Sequence, residues 1–279
     1  MSNLTAENQQ ITGADGVSYS YRRYGKPTGI PVVFLQHFRG NLDNWDPALV
    51  DAIAAEREII LVDAAGVGGS TGIPRSSVAG MATDVATFID ALGLKRVDLF
   101  GFSLGGFVAQ EVALRRPYMV RRLVLAGTGP EGGRKMHEFT AEVKEHAYSD
   151  SPAGEDLLFL FFADTETSKA KGVEYLGRIF SRTDGRDKEV DLATRDNQAE
   201  AISSWGVPDH GRLQRLNAIE QPTLVANGSN DLMVPTSNSH LLAGLIPDSR
   251  VTIYPDAGHG FLFQYPSEFA AEVNEFLAA

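Results

Sequence analysis

Residues 96–116 read RVDLFGFSLGGFVAQEVALRR and are followed by Pro117. The apolar start predicts a short buried strand, and the second half predicts an amphipathic helix that ends before the proline. Between the two lies a tight turn with the pattern Gly101-x-Ser103-x-Gly105. A sharp turn from a strand into a helix needs small neighbours, because adjacent strands crowd any Cβ there. The pattern therefore predicts Ser103 at the apex of the turn.

The predicted position of Ser103 favours acyl-transfer chemistry. The helix that follows points its first N–H groups at the space above the serine, where a negatively charged oxygen could be held. Alone, Gly-x-Ser-x-Gly also occurs by chance in glycine-rich chains, as an ordinary turn between a strand and a helix. The functional interpretation therefore requires that the rest of the chain supply a base and an acid.

Composition limits the class of protein. The chain has 279 residues, of which 43% are hydrophobic, with a formal net charge of −11 and no cysteine. This length suits one large domain, or a domain with an insertion. Lys and Arg are not clustered, which disfavours a nucleic-acid partner, and the lack of cysteine excludes disulfides, thiolate metal sites and a cysteine nucleophile. We expect a small-molecule substrate, and no motif points to a cofactor or a metal.

The first ten residues lack the basic start and apolar core of a signal peptide. No apolar run approaches the ~18 residues that a membrane-spanning helix needs. We therefore expect a cytoplasmic protein with no membrane partner. The sequence leaves open whether it forms a homo-oligomer.

Strand and helix patterns alternate along most of the chain. Residues 11–24 contain the Asp15-Gly16 turn of a hairpin. Continuous apolar runs then predict strands that are buried on both faces, at 31–35, 58–63, the run before Ser103, 122–127, 222–227 and 250–254. Helices are predicted from about 45 to 55 and over 77–92. The alternation predicts an α/β fold with a mostly parallel, doubly wound sheet.

Residues 128–212 differ from the rest of the chain. Apolar runs vanish there, and helical patterns rich in Lys, Glu and Asp take over. We therefore expect a helical insertion at 128–212 between a first core segment at 1–127 and a second at 213–279. Ligands of such sheets bind beyond the carboxyl ends of the strands, where the connecting loops converge.

The candidate base is His259. A serine hydroxyl is a poor nucleophile near pH 7 and needs a neighbouring base, most often a histidine. His259 follows the last predicted strand in a glycine-flanked loop. The other histidines outside residues 31–40 fall on predicted helices or in the insertion, where a solvated or packed role is the ordinary interpretation: His137, His146, His210 and His240.

The candidate acid is Asp231, in the loop after the strand at 222–227. An Asp among Gly, Ser and Asn residues is also an ordinary turn or capping residue. The chain order Ser, Asp, His, with each residue just past the end of a separate predicted strand, is a more specific pattern. Asp256 is a second choice for the acid, whereas Asp63 precedes Ser103 and is interpreted as part of a structural turn.

Together these residues resemble the α/β-hydrolase fold superfamily over nearly the whole chain. The turn at 101–106, Asp231 and the turn at 256–259 carry the resemblance, as do residues 63–70, which are similar to the family's Asp-x-x-Gly-x-Gly-x-Ser segment. The turn around Ser103 is most similar to cofactor-free haloperoxidases, perhydrolases and enol-lactonases. The resemblance implies a helical cap at 128–212 and a catalytic triad of Ser103, Asp231 and His259.

One loop departs from the family pattern. Relatives usually read Leu-His-Gly-Phe-x-Gly after the strand that supplies an oxyanion donor, whereas residues 35–40 read Leu-Gln-His-Phe-Arg-Gly. By position, the resemblance implies the backbone N–H groups of Phe38 and Leu104 as oxyanion donors. His37 stands in a glycine position. We favour a packed structural role for its side chain over a direct substrate contact.

The resulting hypothesis is a serine hydrolase that cleaves a small or medium, largely apolar ester or lactone through an acyl-enzyme. Candidates for the pocket wall are His37, Trp45, Phe159, Phe162 and Phe261, although most of the run 157–162 is expected to form the core of the insertion. Carbon–carbon bond hydrolases, perhydrolases and haloperoxidases use the same triad and stay open as alternatives. The Gln36-His37 pair also suggests a ligand-binding receptor with little turnover.

Overall fold

The computed structural model describes residues 1–27 and 29–279. Within these residues, eight strands form one sheet: β1 Gln9–Thr12, β2 Ser18–Gly25, β3 Val32–Leu35, β4 Glu58–Val62, β5 Val97–Phe102, β6 Val120–Ala126, β7 Thr223–Gly228 and β8 Ser249–Tyr254. Their order is β1-β2-β4-β3-β5-β6-β7-β8. The pairs β1–β2 and β2–β4 are antiparallel and all others are parallel. The predicted mostly parallel sheet is confirmed.

The helices fall into three groups along the described residues. The first group is α1 Pro47–Ala54, α2 Val78–Ala91 and α3 Leu104–Arg115. Between β6 and β7 lie α4 Ala141–Ala147, α5 Gly154–Phe161, α6 Glu166–Ile179, α7 Leu192–Trp205 and α8 His210–Leu213. After β7 come α9 Ser237–Leu245, α10 Phe261–Gln264 and α11 Pro266–Ala278. Strands β3 and β5 are buried along their whole length, as expected for a doubly wound sheet covered on both faces.

Local signals set several of these boundaries. The Ser77 side chain accepts a hydrogen bond from the Gly80 N–H and so caps the start of α2. Gly93, just past the end of α2, has a φ of +71°, and Gly16 in the β1–β2 hairpin has a φ of +81°. Both glycines adopt a left-handed backbone that other residues avoid. The helix stop and the hairpin turn expected from the sequence therefore lie where these glycines stand.

Helices α4 to α8, here called the inserted helices, fill the predicted insertion. The last of these helices, α8, ends at Leu213, one residue beyond the predicted end of the insertion at 212. The division of the chain at 127 and 212 stays a prediction. Trp205 at the end of α7 stacks on Phe107 of α3, with ring centroids 5.4 Å apart and planes 17° apart. This contact joins the inserted helices to the helix that begins after Ser103.

Asp63 lies at the end of β4 and organises the turn that follows. Its carboxylate accepts hydrogen bonds from the N–H groups of Leu42 (3.0 Å) and Gly69 (3.2 Å), and its carbonyl accepts from the Ser70 hydroxyl. These bonds agree with a structural role for Asp63.

Among the described residues, no helix combines the length and the apolar composition that crossing a membrane requires.

Candidate active site

The chain passes from β5 into α3 through one residue, Ser103, whose φ is +54°. Residues other than glycine rarely adopt this region, and strained serines of this kind occur where a strand turns sharply into a helix. A Cβ at Gly101 would lie 2.4 Å from the Gly105 carbonyl oxygen, and one at Gly105 would lie 2.0 Å from the Leu35 carbonyl oxygen. Both positions therefore need glycine. This turn, residues 101–106, is called the elbow below.

His259 and Asp231 form a buried hydrogen-bonded pair. Nδ1 of His259 lies 2.8 Å from Oδ2 of Asp231, and the two side chains are 1% and 0% exposed. A carboxylate only accepts, so Nδ1 carries a proton, and in the neutral imidazole Nε2 is the nitrogen that keeps its lone pair. The other carboxylate oxygen accepts from the N–H groups of Met233 (2.8 Å) and Val234 (2.9 Å). Asp256, the second choice for the acid, instead accepts from the Thr165 hydroxyl.

Ser103 and His259 line the same cavity, whose volume is about 370 Å³. Its wall combines loops of the sheet with the inserted helices. The apolar part of the wall includes Phe38, Leu157, Leu160, Phe161, Phe180, Val190 and Met233. The polar and charged part includes Arg39, Asn41, Asp43, Asn44, His146, Asp150, Asp156, Arg186, Asp187 and Glu189. The cavity is therefore more polar than the sequence predicted.

The loop after β3, residues 36–41, is called the oxyanion loop below. It contains a turn in which the Gly40 N–H donates to the His37 carbonyl at 3.0 Å. Arg39 has a φ of +62°, so the turn has the left-handed third residue typical of type II. The His37 N–H donates to Oε1 of Gln36 at 2.9 Å, and the Arg39 N–H donates to Oε1 of Gln198 at 2.7 Å.

One amide of this turn differs from its neighbours. The Phe38 N–H has no acceptor among the described residues, whereas the N–H groups on both sides of it are bonded. Leu104 is the first residue of α3, so its N–H lacks an acceptor within the helix. Phe38 itself lines the cavity that contains Ser103. The two amides assigned from the family resemblance therefore have no acceptor among the described residues.

His37 is packed and also forms part of the cavity wall. Its side chain contacts Phe102 and Phe161 edge-on, with ring centroids 5.4 and 5.1 Å away. Nδ1 donates to the Phe38 carbonyl at 2.8 Å, and Nε2 is buried without a partner among the described residues. Burial, and to a smaller degree the proximity of His259, lowers the pKa of His37 to about 4. The imidazole is therefore neutral near pH 7.

The other four predicted pocket residues do not line this cavity. Trp45 is fully buried in the core, where it packs edge-on against Phe34 at 5.2 Å. Phe261 is buried against Tyr254 and Phe269, at the other end of the His259 loop. Their positions follow from the size of these side chains, which fill space between the sheet and its covering helices.

Phe159 and Phe162 belong to α5 and its end, and they do not line the cavity. Phe159 stacks on His146 at 4.1 Å, and Phe162 packs against Tyr175 of α6 at 5.8 Å. The residues of this run that do line the cavity are Leu157, Leu160 and Phe161. Their spacing of i, i+3 and i+4 places them on one helix face, so helical periodicity could have identified them.

Sequence reasoning also missed two polar groups of the inserted helices. His146 of α4 lines the cavity and lies 2.7 Å from Asp156 of α5, measured from Nδ1 to Oδ1. Gln198 of α7 bonds the oxyanion loop and is 4% exposed. Neither residue stands in a recognisable motif, so no sequence signal pointed to either. Within the described residues, no three His, Cys, Asp or Glu side chains form a group that could hold a metal.

A family model described as the alpha/beta hydrolase fold matches residues 30–266. The chain belongs to this family. A protein of Azorhizobium caulinodans named "Putative carbamate hydrolase RutD" is 30% identical over 277 residues, which cover 95% of each chain. The crystal structure of the enol-lactonase from Burkholderia xenovorans LB400 has the same fold, with a TM-score of 0.79 at 20% identity over 97% of this chain and 100% of that one.

A nearer structural relative is the alpha/beta hydrolase fold protein from Chitinophaga pinensis. It matches with a TM-score of 0.94 and 37% identity, and the match covers 100% of both chains. The family match confirms the superfamily resemblance found in the elbow and in the loops around Asp231 and His259.

Proposed function

We propose that the protein is a serine hydrolase that cleaves a small or medium ester or lactone through an acyl-enzyme. The observation that carries the proposal is the buried His259–Asp231 hydrogen bond of 2.8 Å beside a cavity shared with Ser103. A histidine held in this tautomer leaves Nε2 free to remove a proton from a serine hydroxyl. The strained elbow around Ser103 gives the same proposal independent support.

In the proposed reaction, Nε2 of His259 takes the Ser103 proton while Oγ bonds to the substrate carbonyl carbon. The carbonyl becomes an oxyanion that accepts hydrogen bonds from the Phe38 and Leu104 amides. His259 then gives the proton to the leaving oxygen as the C–O bond breaks, and the acyl group stays on Ser103. A water molecule, deprotonated by His259, attacks the acyl carbon; the bond from this carbon to Oγ breaks, His259 returns the proton to Oγ of Ser103, and the acid is released. Asp231 stabilises the imidazolium in both halves.

The cavity supports a small or medium substrate. Its volume of about 370 Å³ lies within the range of small-molecule sites. Leu157, Leu160 and Phe161 offer an apolar wall for an acyl chain, whereas the charged residues at 150–189 in the wall favour a substrate with a polar end. A carbonyl substrate also agrees with the carbamate hydrolase named among the relatives.

The test measures turnover of p-nitrophenyl esters of two to eight carbons, a p-nitrophenyl carbamate and a γ-lactone by wild type and Ser103→Ala. We expect wild-type ester turnover with a pre-steady-state burst, and at least a ~10⁴-fold loss of kcat in Ser103→Ala. The exposed Ser151→Ala is the matched control and should retain wild-type rates. Thermal unfolding checks that each variant is folded.

Three outcomes would count against the proposal. Turnover that survives in Ser103→Ala would move the reaction to another nucleophile. Wild type that is folded but neither turns over these substrates nor reacts at Ser103 with a fluorophosphonate would favour a receptor. If Ser103 reacts with the fluorophosphonate but no ester or lactone is turned over, Ser103 would still be the nucleophile, and a carbon–carbon bond hydrolase would become the favoured function.

A further inference from the structure

We propose that Gln198, on inserted helix α7, is a positioning residue that holds the oxyanion donor Phe38 in its reactive orientation. This inference rests on the proposed function, because it assigns a role within the same acyl-transfer site. Gln198 lies 159 residues away from the loop it contacts and is 4% exposed. It touches the peptide next to the donor rather than the reacting atoms.

The peptide between Phe38 and Arg39 is held at both of its polar groups by side chains. Nδ1 of His37 donates to its carbonyl at 2.8 Å, and Oε1 of Gln198 accepts from its N–H at 2.7 Å. A type II turn differs from a type I turn by a flip of this central peptide. The two side-chain bonds therefore select one orientation of the peptide that begins at Phe38.

The selection is needed because the turn carries strain. Arg39 has a φ of +62°, a conformation that favours glycine. Without the Gln198 bond, the relaxed alternative is a flipped peptide with Arg39 in the right-handed region. The flip changes ψ of Phe38 and φ of Arg39. Loss of the Gln198 bond also frees the oxyanion loop to shift relative to α7, and this shift displaces the free Phe38 N–H that the proposed oxyanion requires. Small displacements of a donor of this kind reduce rates strongly.

Helix α7 connects to the second donor as well. Trp205, at its end, stacks on Phe107 of α3, the helix whose first N–H belongs to Leu104. One inserted helix thus contacts the supports of both proposed donors, the oxyanion loop through Gln198 and the elbow helix through Trp205.

A second set of hydrogen bonds also joins the oxyanion loop to the inserted helices, and here the side chain belongs to the loop. Nη1 of Arg39 donates to the carbonyls of Ala147 (3.2 Å) and Ser149 (2.7 Å), just after α4. Arg195, one turn before Gln198, donates to the carbonyl of Tyr148 at 2.9 Å. The segment 147–149 is therefore held from both sides. The oxyanion loop reaches its reactive geometry only when the inserted helices are docked.

The test compares two substitutions at one position. Gln198→Met keeps the length of the side chain and removes the acceptor, whereas Gln198→Glu keeps an acceptor for the Arg39 N–H. We expect Gln198→Met to lower kcat for the best p-nitrophenyl ester by ~10- to 100-fold, with KM within about twofold of wild type. Gln198→Glu should retain kcat within about fivefold. The exposed Glu200→Met on the same helix is the matched control and should match wild type.

A second readout separates positioning from general loosening of the fold. The rate at which a fluorophosphonate labels Ser103 also depends on a developing oxyanion, so it should fall in Gln198→Met as kcat does. Binding of a non-reacting ketone analogue of the substrate should not change. Equal losses in the Met and Glu variants, or a loss in KM alone, would overturn the inference.

The two proposals fail in different ways. If wild type labels at Ser103 but hydrolyses no ester, the proposed substrate class fails and the labelling rates of the two variants still decide the role of Gln198. If wild type hydrolyses esters and Gln198→Met does so at the wild-type rate, only the positioning role is wrong. If wild type neither hydrolyses nor labels, both proposals are wrong.

Discussion

The two halves of the candidate site are held in place by different kinds of bond. In the triad half, Ser103, Asp231 and His259, backbone groups supply most of the support: the Ser103 N–H donates to the Ala126 carbonyl, and two N–H groups orient the Asp231 carboxylate. In the oxyanion loop, side chains supply most of it, those of Gln36, His37, Arg39 and Gln198.

This difference between backbone and side-chain bonds indicates which part of the site tolerates sequence change. Backbone bonds depend on the sheet and on glycines that allow close approach, so they form with many sequences. Side-chain bonds require one residue type at one position, often on a distant element. The oxyanion loop is therefore the half of the candidate site that depends more on particular residues, and substitutions should affect the two halves differently.

The largest effect is expected in the triad half. Asp231→Asn keeps an oxygen for the N–H groups of Met233 and Val234 but presents an NH₂ group to Nδ1 of His259. The imidazole must then carry its proton on Nε2, the wrong tautomer for a base, and kcat should fall by ~10⁴-fold. Steady-state kinetics and thermal unfolding, measured together, check this. A loss of less than tenfold would show that Asp231 is not the acid and return attention to Asp256.

A smaller effect, on the free energy of unfolding, should appear where the elbow contacts β3 just before the oxyanion loop. The Cβ of Gly105→Ala would meet the Leu35 carbonyl oxygen at 2.0 Å, so the elbow and β3 would have to separate. We expect the free energy of unfolding in urea to fall by about 3 kcal/mol or more. Gly177→Ala, on the exposed face of α6 with no atom near its Cβ, is the control and should gain about 0.5–1 kcal/mol. Equal effects of the two substitutions would argue against the close approach.

The smallest effect should be a pH dependence in the oxyanion loop. The pKa of His37 is about 4 in the folded protein, below its unfolded value of about 6.5, so the unfolded chain binds more protons between these values. Stability from this group is complete above the unfolded pKa and is lost as the pH falls towards 4. At pH 5 the loss should be about 2 kcal/mol relative to pH 7.5.

His37→Gln removes the titrating group and retains a donor for the Phe38 carbonyl. The difference in free energy of unfolding between this variant and wild type should therefore shift by that amount in favour of the variant at pH 5. Urea titrations at both pH values measure it. A difference that is independent of pH would mean that His37 titrates in the folded protein as it does in the unfolded chain.

The sequence predicted the fold well because the fold depends on local patterns. Apolar runs identified β3 to β8, and each triad candidate stood just past the end of one of them. The structure brings Asp231 and His259 into contact and lines one cavity with His259 and Ser103. These features follow from the parallel sheet, which collects the carboxyl ends of its strands at one edge.

The rest depended on packing, which a single sequence does not reveal. Trp45 and Phe261 were expected at the pocket because they flank its loops, yet they fill the core. In α5, Phe159 and Phe162 were predicted at the pocket, whereas Leu157, Leu160 and Phe161 share the helix face that lines the cavity. The role of Gln198 needed knowledge of where α7 docks, for which no motif exists.

The contact between Arg39 and Gln198 also has a consequence for the order of folding. It closes a loop of 159 residues, and contacts of such long sequence separation carry a high entropic cost and form late. Strands β3 to β6, by contrast, join segments from the first half of the chain. A refolding molecule would therefore acquire strands β3 to β6 and the elbow before it forms the bond that ties the oxyanion loop to α7.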